Sequence, residues 1–152
     1  MEFPKFKHEF NMSGESLLPH RKPFLFVDML HSADETGAIG EYTFTEEKND
    51  FFKGHFPDFP VVPGVVLVEA MSQVAGAAVV ARGVLGPQAA FAFAAIESAR
   101  FKKPVRPGDR LVMVSKTVRE RLPLGSYEVF GYVGDDLVAT AKVKCMLMNG
   151  RK

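Results

Sequence analysis

Four polar or small residues share one side of an apolar run: Glu69, Ser72, Gln73 and Gly76 stand at i, i+3, i+4 and i+7. Every other position from Val65 to Ala78 is valine, leucine, methionine or alanine. A stripe of this kind also fits a solvated helix face. It carries a single charge and no lysine or arginine, however, and the opposing surface is too broadly apolar for a helix lying on top of a protein. A nearly buried helix with its polar stripe toward a cavity or interface fits better. A carboxyl group in such a place is desolvated, so its pKa rises and it can act as a general acid. Ser72 and Gln73 are placed to orient it or to hold a water. His55 precedes it in a loop stiffened by Pro57, Pro60 and Pro63. It fits a general base, and equally a loop histidine bonded to backbone. Gly64 follows a proline at the helix start. Its free N–H, backed by the helix dipole, can stabilise charge growing on a carbonyl oxygen, or simply begin the helix. A base, a carboxylic acid and an oxyanion donor suit removal of a proton α to a carbonyl with loss or addition of a group at the β carbon. A thioester is a natural substrate, because its α proton is comparatively acidic.

These groups need elements to hold them. Pro63-Gly64 starts a helix that runs to about Arg82, with Gly83 as terminator. Eighteen or so residues give roughly 27 Å. Residues 1–16 read as an irregular lead-in, with a short helical turn or loop near 15–20. Phe24–Leu30 is short, apolar and aromatic, which suits a buried strand. Gly37–Thr45 alternates and is the expected return strand of a hairpin through His31–Thr36. Phe51–Pro63 is loop-like. Four extended segments follow: 90–99, 101–106 merging with 109–119, 125–134 and 137–148. Pro107-Gly108-Asp109 and Gly134-Asp135-Asp136 are turn signals. In the last segment Val138, Thr140, Lys142 and Lys144 alternate with Ala139, Ala141, Val143 and Cys145, the pattern of an antiparallel sheet with one wetter face. One helix among many strands is α+β. The expected organisation is one domain over 17–148, with a tail at 149–152.

The totals narrow the function classes. The chain has 152 residues, 47% of them hydrophobic, with 19 basic and 18 acidic side chains. That balance gives no reason to expect nucleic acid or an anionic membrane as partner. The single cysteine, Cys145, permits no internal disulfide. The N-terminal residues lack an apolar run, so no signal peptide is expected, and a cytoplasmic location is the default. His8, His20 and His31 have no zinc-ligand spacing, and no metal or redox cofactor is expected.

Several stretches resemble one family. They are Leu18-Pro19-His20-Arg21-Lys22-Pro23-Phe24-Leu25-Phe26-Val27-Asp28, Gly54-His55-Phe56-Pro57-Asp58-Phe59-Pro60-Val61-Val62-Pro63-Gly64-Val65, Glu69-Ala70-Met71-Ser72-Gln73, and Ala99-Arg100-Phe101-Lys102-Lys103-Pro104-Val105-Arg106-Pro107-Gly108-Asp109-Arg110-Leu111. Together they resemble the (3R)-hydroxyacyl-acyl-carrier-protein dehydratases of type II fatty acid synthesis, over about residues 17–148. The resemblance implies a hot-dog fold, a long central helix wrapped by a curved antiparallel sheet. It implies His55 and Glu69 as the catalytic pair, meeting across a dimer, with dimers assembling further into a trimer of dimers. It implies Gly64 N–H as donor to the thioester carbonyl and an acyl tunnel with Phe59, Phe91 and Phe93 as candidates. Phe93 also fits an ordinary core aromatic. The partner implied is an acidic acyl carrier protein, with Arg100, Lys102, Lys103 and Arg106 as candidate docking residues. The same four also fit a solvated face or salt bridges within the oligomer.

The implied reaction is reversible dehydration of a 3-hydroxyacyl thioester to the trans-2-enoyl thioester. A related dehydratase/isomerase branch carries aspartate where Glu69 stands, so Glu69 points away from isomerisation. The chain departs from the family pattern at Ala92, where an aromatic is frequent, and at Met29, Ser72 and Glu97. These departures leave His55 and Glu69 in place and allow a divergent acyl substrate. The competing readings are a hot-dog thioesterase or CoA hydratase, and a non-catalytic acyl-binding subunit.

Overall fold

The computed structural model describes residues 2–149. Of the expected C-terminal tail, residues 150–152 lie outside the described residues. The elements in order are β1 (His8–Ser13), α1 (Gly14–Leu17), β2 (Met29–Asp34), β3 (Gly37–Thr43), a 3-10 turn (Asp50–Lys53), α2 (Gly64–Ala81), β4 (Ala90–Phe101), β5 (Arg110–Arg121), β6 (Leu124–Val133) and β7 (Asp136–Met148). The strands form one antiparallel sheet in the order β1-β2-β3-β5-β6-β7-β4. The sheet wraps α2, which packs against β2, β3, β5, β6 and β7. This is the hot-dog architecture.

The helix is held by its burial more than by its composition. Six of its residues are valine, whose β-branching disfavours helix. Thirteen of the eighteen are buried, and tertiary packing of that kind supplies most helical stability. By length and composition α2 is apolar enough to cross a membrane, but most of it is enclosed by the sheet. Its end is fixed by Gly83, at φ 77°. Gly83 N–H donates to Val80 O and Val84 N–H to Val79 O, the paired bonds that close a helix through a left-handed residue. Register shifts between β4 and β7 at Phe93/Ala95 and Ile96/Ser98, and between β5 and β6 at Thr117/Arg119, let the sheet bend round the helix.

Both expected glycine turns are present, with Gly108 at φ 94° and Gly134 at φ 59°. Four sequence expectations are corrected. Residues 8–13 are a strand, β1, paired with β2 and interrupted at Asn11 by a register shift. Its residues are nearly all exposed, so no buried alternation marked it. Phe24–Val27 is not strand; β2 begins at Met29. Residues 102–106 form a loop and do not merge with β5. Val138, expected on the wetter face, is buried as part of the main hydrophobic core, and Lys102 N–H donates to its carbonyl.

Candidate active site

Gln73 is the hub of the helix stripe and is fully buried. Its Oε1 accepts from Phe26 N–H at 2.8 Å. Its Nε2 donates to Phe24 O and to Glu69 Oε2, both at 2.9 Å. The backbone N–H of Phe26 can only donate, so Oε1 must face it and the NH2 must face Glu69. This also explains the missing strand. The backbone of Phe24 and Phe26 bonds to a helix side chain instead of a neighbouring strand, while the Phe26 ring fills the core.

Glu69 lies one turn before Gln73, its side chain only 13% exposed. Desolvation raises its pKa, and the Gln73 hydrogen bond offsets part of that rise. A carboxyl so placed keeps its proton to higher pH than an ordinary glutamate. Ser72 is buried too, but it does not reach Glu69. Its hydroxyl donates back to Val68 O at 2.8 Å, an ordinary use of serine inside a helix.

His55 sits partly buried at the start of the proline loop. Its Nδ1 lies 3.0 Å from Val61 O, and Val61 N–H donates to His55 O at 2.9 Å. A carbonyl only accepts, so this contact places the proton on Nδ1 and leaves Nε2 with a lone pair, as a base requires. The ring is stacked on Phe56, centroids 4.3 Å apart. Among the described residues no hydrogen bond or ion pair joins His55 to Glu69 within one chain.

Gly64 is the first residue of α2, with Pro63 ahead of it. The edge of the Phe101 ring lies against it, so a Cβ added there would stand 2.9 Å from a ring carbon. Gly64, Val65, Phe101, Lys102 and Lys103 line part of a surface cleft of about 480 Å³. Arg100 and Arg106 are exposed nearby in sequence but outside that lining. Lys103 pairs with Asp136 at 3.1 Å. The three candidate tunnel aromatics separate. Phe59 is 65% exposed and meets Phe56. Phe91 lies over Gly76, where a Cβ would come within 2.9 Å of its ring, and makes an edge contact with Phe93. Ala92, at the frequent aromatic position, faces outward.

Comparisons with known proteins bear on the family and the fold. A model of the FabA-like domain matches residues 18–142. A 3-hydroxyacyl-[acyl-carrier-protein] dehydratase FabZ of Polynucleobacter asymbioticus is 40% identical over 129 residues, 85% of this chain and 86% of the relative. The FabZ of Yersinia enterocolitica is 42% identical over 133 residues, 85% of this chain and 77% of the relative. The chain belongs to the FabA-like dehydratase family. Solved structures extend the fold likeness further out. The dehydratase heterocomplex ApeI:P of Xenorhabdus doucetiae superposes with TM-score 0.74 at 14% identity, covering 91% of this chain and 92% of that one. The E. coli PaaI protein does so with TM-score 0.59 at 20% identity, covering 77% and 80%.

One residue beside Glu69 does not stand out from the sequence. His20 Nε2 lies 3.7 Å from Glu69 Oε2, with the imidazole 14% exposed. Its ring rests against Phe91, centroids 5.3 Å apart. No spacing rule links it to Glu69. The available signal was its place in the Leu18–Asp28 motif, ahead of the segment that Gln73 holds.

Proposed function

We propose that this protein catalyses the reversible dehydration of a (3R)-3-hydroxyacyl thioester, carried on acyl carrier protein, to the trans-2-enoyl thioester. The observation that carries the proposal is Glu69, a buried carboxyl clamped by Gln73 at the centre of a FabA-like domain. In the forward direction His55 Nε2 takes the C2 proton. The electrons pass toward the thioester oxygen, which Gly64 N–H stabilises. Glu69 gives its proton to the C3 hydroxyl, which leaves as water while the C2–C3 double bond forms. Proton exchange with solvent then returns His55 to its neutral form and Glu69 to its acid form. Hydration is the same path reversed.

The catalytic pair forms across a homodimer in this reading, His55 from one protomer and Glu69 from the other. Three features support it. The pair makes no contact within a chain. The edge strand β4 has no partner on its outer side among the described residues. Ile96, Phe101 and Val65 are exposed at 50%, 52% and 77%, more apolar surface than a monomer needs to leave open. Dimers associating further, as a trimer of dimers, belong to the same proposal. Lys102 and Lys103, at the cleft beside Gly64, suit the phosphate of the carrier's prosthetic arm. The Phe91–Phe93 side lines the acyl end. The cytoplasmic location read from the sequence is retained.

The test is direct. Purified protein is given 3-hydroxyacyl thioesters of several chain lengths, on carrier protein and on CoA, and enoyl formation is followed. His55→Ala and Glu69→Gln are each expected to lose about two orders of magnitude or more in rate. A wild-type rate in either variant overturns the mechanism.

A further inference from the structure

We propose that His20 is a positioning residue for Glu69: its Nε2–H and the Gln73 amide converge on Oε2, so the acidic proton sits on Oε1, which becomes the oxygen that delivers it. The proposal rests on the dehydratase reading for its role in the rate, but its geometry stands apart from that reading.

Gln73 Nε2 donates to Oε2 at 2.9 Å, and His20 Nε2 approaches the same oxygen at 3.7 Å. The Gln73 hydrogen bond makes Oε2 the carbonyl oxygen of the acid, and His20 Nε2 faces that same oxygen from just beyond hydrogen-bond length. A proton placed there would point at the Gln73 donor, whereas Oε1 takes no hydrogen bond from it. Which ring nitrogen of His20 carries the hydrogen follows from its surroundings. Nδ1 is buried with no hydrogen-bond partner among the described residues. An orphaned buried N–H is rarer than an orphaned acceptor, so the hydrogen belongs on Nε2, toward the carboxyl. The ring cannot easily turn away. Phe91 covers one side of it and itself sits against Gly76, two turns beyond Glu69 on the same helix. Arg21 holds the backbone at this point, its guanidinium donating to Leu18 O at 2.9 Å and His20 O at 2.6 Å.

Burial, and secondarily the Arg21 charge, lower the His20 pKa, which favours the neutral imidazole. A neutral donor steadies the Glu69 carboxylate that forms once the proton has left, without locking it in an ion pair beforehand. The other groups near this pair do not compete. Glu15 faces Arg21 at 3.8 Å. Cys145, on β7, is a thiol pushed up to about 12 by burial and by the Glu69 charge, so it remains protonated.

Two measurements on the whole protein decide the matter without substrate. Nitrogen-15 NMR of the histidine rings reads the His20 tautomer, with His20→Gln assigning the signal. Carbon-13 NMR of the glutamate carboxyls follows Glu69, with Glu69→Gln assigning it. The expected tautomer is Nε2–H. In His20→Phe the Glu69 midpoint moves to higher pH, because a donor to its charged form is gone; in His20→Gln, which restores an N–H, it moves back. In turnover, His20→Phe lowers kcat about tenfold with KM unchanged, its alkaline limb shifts up in pH, and His20→Gln recovers part of the rate. An Nδ1–H tautomer in the wild type, or the same Glu69 titration in His20→Phe, overturns the proposal. Protein that shows the expected spectra and no dehydration would sink the functional reading and leave the positioning intact.

Discussion

At the scale of the residue, the site sets catalysis against stability. Burial raises the pKa of Glu69 above the ordinary glutamate value. The folded protein therefore binds that proton more tightly than the unfolded chain does. Its contribution to stability is fully present below the unfolded pKa, near 4.5, and is lost as pH rises through the folded value. In the proposed mechanism activity runs the same way on the alkaline side, since the acid must hold its proton to release it. Glu69→Gln keeps the shape and still accepts from Gln73, but has no charge to bury. We expect it to be inactive and yet to melt at a higher temperature than the wild type near pH 8. The gain should shrink as pH is lowered toward 4.5. Calorimetry across that range checks it; a variant less stable at every pH would show that the Glu69 charge is not a burden. Gln73→Leu should do the reverse. It leaves Phe26 N–H and Phe24 O without partners and should cost about 2–4 kcal/mol in denaturant unfolding.

At the scale of the element, α2 is fixed by its ends. Gly83 supplies the left-handed residue, so Gly83→Ala should cost about 1 kcal/mol in unfolding while leaving turnover unchanged. At the other end, Gly64→Ala should push Phe101 from its place, as the added Cβ would stand 2.9 Å from the ring. Loss of stability and rate is expected there, with Phe101→Ala in the same chain recovering the stability because the obstruction is gone. If the double variant is no better than Gly64→Ala, the fault lies in the helix start and not in the ring.

The ends of α2 and the turns between strands are also where the sequence is most legible. Pro63-Gly64, Gly83, Gly108 and Gly134 act through their own backbone, so their meaning is local. Phe24–Val27 was misread for the opposite reason. Its composition says strand, but its hydrogen bonds go to Gln73, 47 positions from Phe26. β1 escaped notice because an edge strand with exposed side chains carries no apolar alternation. The Glu69–Gln73 contact followed from helix geometry; His20 meets Glu69 only through the fold.

At the scale of the whole molecule, a single chain holds both proposed catalytic groups without joining them among the described residues. His55 belongs to a loop ahead of α2 and bonds to Val61, while Glu69 faces Gln73 and His20. The sequence could not reveal this, since spacing along one chain is silent about a second copy; only the family resemblance pointed there. If the pair is shared, the site is a property of the dimer, and two dead chains can make a live one. His55→Ala and Glu69→Gln homodimers should each be inactive. Unfolded together and refolded as a mixture, they should recover about a quarter of the wild-type rate, because random pairing makes half the dimers mixed and each mixed dimer carries one intact site of two. The recovered rate should rise and fall with the mixing ratio, peaking at equal amounts. A mixture that stays at the background of its parents would place both groups of each site in the same chain. The mobile part would then have to be the His55 loop, which would need to give up its bond to Val61 to reach Glu69.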